Sequence, residues 1–108
     1  MNVAEFHRQV EQTWNTIEEQ LDQQEIDVDC DTHGSVFSIT FENGQQIVIN
    51  KQEPLLELWL ASKLGGYHFK FRDGQWLTAD QQEFFQLLNQ ALTAYYSESV
   101  TLANHVTK

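Results

Sequence analysis

Cysteine and proline occur once each in this 108-residue chain, and lysine and arginine together only six times. The single cysteine, Cys30, excludes an intrachain disulfide and any zinc or iron–sulfur site built from several thiolates. The shortage of basic residues has the wider consequence. Sixteen Asp and Glu leave a formal net charge of −10 at pH 7. Such a surface repels phosphates, which argues against nucleic acid and anionic membrane and favours cations or basic protein surfaces as partners. No apolar run approaches the roughly 20 residues needed to span a bilayer. The stretch from Met1 to Arg8 lacks the basic leader and apolar core of a signal peptide, so a bacterial cytoplasm is the expected location. G-x-S-x-G, P-loop and dinucleotide fingerprints are missing too, and no enzyme is expected.

Apolar residues make up 41% of the chain and aromatics 12%, enough for a real core. With no repeat, Pro/Gly-rich linker or low-complexity tail, residues 1–108 are expected to form a single domain. The acids are unevenly placed. Residues 1–31 hold nine of them against Arg8 alone, whereas the remainder is close to neutral.

Phe6, Val10, Trp14, Ile17 and Leu21 recur at helical spacing, which predicts an amphipathic helix from about residue 3 to 23 with Asn2 as its cap. Glu11, Glu18 and Asp22 fall beside that stripe. The period then drops to two. In 26–31, Ile26, Val28 and Cys30 alternate with Asp27, Asp29 and Asp31, so three carboxylates line one face of a strand. A turn at 32–35 leads to a strand carrying Val36, Ile39 and Phe41. Asn43-Gly44 signals a hairpin into a third strand over 46–50. Beyond Pro54, residues 55–64 suit a short helix or a buried strand equally. Gly65-Gly66 is expected as a turn before a strand over 67–71, and Asp73-Gly74 turns into Gln75-Trp76-Leu77. A second helix is expected from near Asp80, with Phe84, Leu87, Leu88, Ala91, Leu92 and Tyr95 as its stripe. Helix, strands, helix in that order predicts an α+β two-layer sandwich, with two helices packed on one face of an antiparallel sheet.

Seven carboxylates within residues 18–31 are the chain's strongest chemical feature. Their oxygens are hard ligands, suited to Mg²⁺, Ca²⁺, Mn²⁺ and iron. Spread over a helix and a strand with no EF-hand spacing, they would hold metal weakly and leave it partly hydrated. Charge runs are most often plain solvated faces, yet crowding like charges is costly where dispersal would serve solubility equally well. His7 and His105 are expected to be exposed near the ends, and His68 to share a solvent-side face with Lys70. Cys30 is expected to be a buried, inert thiol. Trp14 and Trp76 read as core residues, whereas Trp59, near amides at 50 and 52, is a candidate contact residue.

Ile49-Asn50-Lys51-Gln52, Pro54, Leu58-Trp59-Leu60-Ala61-Ser62, Gly66-Tyr67-His68-Phe69 and Gly74-Gln75-Trp76 resemble the signature of the frataxin family in its bacterial, CyaY-type form. Trp14, Ile17, Glu18, Glu19 and Leu21, the strand 27–31 and Leu87-Leu88 extend the resemblance from about residue 3 to 100. It implies the same helix–sheet sandwich. It further implies weak Fe²⁺/Fe³⁺ binding by an acidic ridge, here Glu18, Glu19, Asp22, Glu25, Asp27, Asp29 and Asp31, with no haem or cluster of the chain's own. The implied partners are the cysteine desulfurase and scaffold of iron–sulfur cluster assembly, contacted through Glu18, Glu19, Asp22, Asn50, Gln52, Trp59 and His68. The implied role is regulator or iron donor, mostly as a monomer with iron-dependent oligomers in view. The rival roles are an iron store or ferroxidase, and a binding module for another basic protein. The link at 23–25 departs from the bacterial pattern by carrying amides where further acids are common.

Overall fold

The computed structural model describes residues 1–96 and 98–103; the expectation for His105 lies outside them. Helix α1 spans Val3–Gln23 and is capped by Asn2, whose side-chain oxygen accepts the Glu5 amide at 2.8 Å. The Glu5 carboxylate pairs with Arg8 at 3.3 Å, so only half of a capping box is present. Six strands follow: β1 (Val28–His33), β2 (Val36–Phe41), β3 (Gln46–Gln52), β4 (Glu57–Ser62), β5 (Gly65–Arg72) and β6 (Gln75–Leu77). Helix α2 spans Phe84–Tyr96. The strands form one antiparallel sheet in chain order, each hydrogen-bonded to its neighbours in sequence.

Both helices cover the same face of the sheet. Trp14 of α1 stacks on Phe37 at 5.5 Å, and Phe6 meets Trp76 edge-on at 6.0 Å. From α2, Phe84 meets Phe69 at 5.2 Å and Tyr95 meets Phe41 at 4.8 Å. The five stripe residues of α1 are all buried, as their spacing predicts. Each fully buried Phe, Ile or Leu contributes about 1.5–3 kcal/mol, and this single layer of contacts holds the two halves together. At the Asp73-Gly74 turn both residues take positive φ, 53° and 80°, the type I′ geometry that matches the twist of the flanking strands.

Two expectations need correction, the Gly65-Gly66 turn and the start of the second helix, and the open reading of 55–64 resolves. Residues 57–62 are strand β4, and the short helical element is a 3-10 turn at Glu53–Leu55 around Pro54. The β4–β5 turn is Lys63-Leu64, while Gly65 and Gly66 open β5. Strand β2 carries Val36, Ile39 and Phe41 as expected, with Phe37, Ile39 and Phe41 buried and Val36 on the opposite face. Helix α2 starts at Phe84, four residues after Asp80, because Leu77 pairs with Glu83 and keeps the intervening chain extended and turned. Glu83 then caps the helix, its carboxylate accepting the amides of Phe85 and Gln86.

A C-terminal strap, unannounced by any periodicity, ties the helices together. Val100 and Leu102 are buried. Gln20 of α1 and Gln24 at its C-cap hydrogen-bond to Ala103 and Thr101, and Asn89 and Thr93 of α2 to Leu102 and Val100.

One buried hydrogen bond joins α1 to β6. The Trp76 indole N–H donates to Thr13 Oγ1 at 3.0 Å, with both residues buried. Thr13→Ala would leave that N–H unpaired and is expected to lower unfolding free energy by about 1–3 kcal/mol in urea denaturation. Thr13→Ser, which keeps the acceptor, should stay close to the parent.

Candidate functional site

Register decides where the acids point. Residues directly opposed in an antiparallel sheet share a face. Asp31 opposes Ser38, and His33, Val36, Asn50, Trp59 and His68 form one row across β1 to β5. Asp29 and Asp31 therefore lie on the outer sheet face, away from the helices. Cys30 turns the other way, towards the core. Glu18, Glu19 and Asp22 belong to the helical layer, where they border a shallow depression with Asn15. Glu11 and Glu18 also line a depression with Thr32 and Gly34, so this side of α1 overhangs β1. All seven candidate iron ligands are exposed. They straddle the β1 edge of the sheet in two rows rather than converging. Among the described residues no three carboxylate, histidine or cysteine groups are placed to hold one metal ion together.

One neighbour of the acidic strip, Glu42, carries no signal of its own in the sequence. Glu42, in the β2–β3 turn, hydrogen-bonds to Asp27. That bond, then the adjacent negative charge, then slight burial raise the Glu42 carboxyl above its ordinary value. Glu25 sits at φ 56°, left-handed for a residue with a side chain, where α1 closes and the chain swings into β1. Cys30 is half-buried rather than fully buried. Burial, then the charges of Glu18 and Asp29, push its thiol up to about 11.

The partner candidates of the sheet do come together. Asn50, Trp59 and His68 are register neighbours on β3, β4 and β5, and Gln52 donates to Asn50 at 3.3 Å. Trp59 is half-buried, and the exposed His68 ring lies flat on it, centroids 4.0 Å apart and planes 7° apart. The indole N–H donates to Glu57 at 2.8 Å, and Lys70 holds the other Glu57 oxygen at 3.2 Å. In the sequence Glu57 reads as one more surface acid, because it sits at an ordinary period-two position. Burial pushes its carboxyl up, but hydrogen bonds from Trp59 and Lys70, with the Lys70 and His68 charges, outweigh this and hold it below its usual 4.5. Trp59 is thus oriented before any partner arrives. His7, expected to be exposed, instead lies between Lys51 (3.1 Å) and Glu53 (3.4 Å), against the Phe6 ring.

A family model described as a frataxin-like domain matches residues 1–98. "Iron-sulfur cluster assembly protein CyaY" of Mannheimia succiniciproducens is 59% identical over 98 residues, covering 91% of this chain and 96% of that protein. The protein of the same name from Histophilus somni is 61% identical over 95 residues, covering 88% of this chain and 93% of its own. Among solved structures, frataxin from Psychromonas ingrahamii superposes over the full length of both chains with a TM-score of 0.86 at 33% identity. Yeast frataxin, at 22% identity and a TM-score of 0.71 over 93% of this chain and 87% of its own, shares the fold.

Two measurements probe the site's local chemistry. At pH 8, Cys30 should alkylate with iodoacetamide roughly a hundred-fold more slowly in the folded chain than in urea, because so little of it is thiolate. For Glu57 the depressed carboxyl means stability that is present above its unfolded value of 4.5 and lost as pH falls through the lower folded value. Glu57→Gln should therefore flatten the acid limb of a stability-versus-pH curve below that point, with little change in slope above it.

Proposed function

The chain belongs to the frataxin-like family, and on that premise we propose that it is a non-enzymatic, iron-binding protein of bacterial iron–sulfur cluster assembly. The names of its relatives support the pathway. The geometry supports the mode of action. One observation carries it: the exposed carboxylates of α1 and β1 adjoin a sheet face on which a pre-oriented Trp59 stands with Asn50, Gln52 and His68.

Iron is cargo in this reading. Glu18, Glu19, Asp22, Glu25, Asp27, Asp29 and Asp31 would offer it one or two oxygens at a time, leaving water in its shell and keeping binding weak. Such a strip suits delivery or sensing, since an ion held loosely is easily passed on. Oxidation of Fe²⁺ as a ferroxidase would need several ligands fixed around one point, so storage with oxidation is the less favoured role.

The same strip is a docking surface for a basic patch on the cysteine desulfurase. Asp29 and Asp31 share the outer face with Trp59, three strand spacings away, roughly 14 Å. A single partner can therefore touch both. Charge would steer the encounter, and the Trp59–His68 stack would anchor it. Iron and desulfurase then compete for overlapping carboxylates, which couples iron level to assembly rate. The protein would act in the cytoplasm, as a monomer when iron is scarce.

Affinity for its own organism's cysteine desulfurase, measured at low and moderate salt, tests this. Combined Glu18→Lys, Glu19→Lys and Asp22→Lys should weaken binding by at least about ten-fold at low salt and flatten its salt dependence. Unchanged affinity in the triple variant would remove the ridge from the interface.

A further inference from the structure

Positive charge is scarce enough in this chain that its placement carries information. Arg8 is paired with Glu5, Lys51 lies against His7 and the Trp14 ring, and Lys63 sits over the Tyr95 ring at 4.5 Å. The other two cations of the described residues, Lys70 and Arg72, occupy alternate positions of β5, with His68 at the alternate position before them. All three project from the outer face and are exposed. Lys70 is braced by Glu57 at 3.2 Å and by the Leu55 carbonyl at 3.3 Å. Its side chain stays 58% exposed, whereas that of Glu57 is 16% exposed beneath it. Among the described residues Arg72 makes no ion pair.

The strip borders a groove. Strand β6 has only three residues, and the chain leaves the sheet at Thr78, so His68, Lys70, Arg72, Leu77, Thr78 and Gln81 surround an open trough, with Glu57 at its base. Glu57 already accepts from both Trp59 and Lys70, which leaves the trough's charged donors on Arg72 and Lys70, beside the His68 ring and the Gln81 amide. β5 stands four strand spacings from β1, about 19 Å, so the sheet is negative at one side and carries its exposed cations at the other.

We propose that this trough binds a carboxylate-rich peptide segment of the same partner that docks on the acidic ridge. This rests on the docking role above. The match is one of charge and shape. A guanidinium without a partner takes a carboxylate through two parallel N–H bonds, and an ammonium alongside takes the next one. Contacts of opposite sign at the two sides of one face also fix orientation, because a partner turned end for end would set like charges together.

The test needs no desulfurase, so it stands or falls apart from the docking role. The full chain, ¹⁵N-labelled, is titrated with hexaglutamate, with hexaglutamine and with inorganic phosphate. Hexaglutamate alone should shift the amides of His68, Lys70, Arg72 and residues 78–81. Arg72→Glu should weaken that response at least about five-fold, and Lys70→Gln should weaken it less. Combined Glu18→Lys, Glu19→Lys and Asp22→Lys should leave the shifts at β5 in place, while any new response appears on α1. Arg72 is exposed and makes no ion pair among the described residues, so its variant should melt with the parent. An absent response overturns the proposal and leaves Lys70 and Arg72 as charges that merely guard a sheet edge against strand pairing. An equal response to phosphate, or one insensitive to Arg72→Glu, overturns it too.

Discussion

Everything this molecule offers to a partner depends on one constraint, the burial of a single face of its sheet. Phe37, Ile39, Ile47, Ile49, Leu58, Leu60 and Phe69 must meet the stripes of α1 and α2. With a side-chain period of two, the alternate residues then have nowhere to go but outward. A slip of one residue would bury Asp29, Asn50 and His68 and expose the core, so register is strongly specified. Packing energy thereby fixes the positions of polar groups that contribute little to packing themselves.

The outward groups are differently organised at the two sides. Around β1 the carboxylates are exposed and spread along the edge, where they repel one another. The Glu42 carboxyl, raised beside Asp27, reflects how dense the negative charge is there. Around β4 and β5 the groups are interlocked: Glu57 holds the Trp59 indole and the Lys70 ammonium, and His68 lies flat on the indole. A diffuse strip attracts at long range and tolerates many geometries. A locked aromatic pair recognises at short range and loses little entropy on binding. Having both on one sheet suits a protein that must find a partner quickly and then sit on it in one orientation.

Legibility in the sequence followed the range of the interactions. Helix α1, the alternation of 26–31, the Asn43-Gly44 and Asp73-Gly74 turns and the helix-on-sheet architecture were all readable, because each arises from neighbours within a few residues. Residues 55–64 were not, since an apolar run of that length has no period of its own and only pairing with β3 and β5 makes it a strand. The late start of α2 and the strap at 98–103 depended on contacts with distant chain, Leu77 with Glu83 in one case and Gln20 with Ala103 in the other. The roles of Glu57 and His7 were hidden for the same reason.

By itself the sequence determined the sign and clustering of the charge, the two amphipathic helices, the sandwich class and the resemblance that named the family, because composition, periodicity and motif spacing are properties of the chain. Only the tertiary structure decided that the acids divide into two rows about the β1 edge, that Asp29 and Asp31 share a face with Trp59, and that Lys70 and Arg72 meet across a trough from Thr78 and Gln81. Those are relations between elements far apart in sequence, and they exist only once packing has chosen a register.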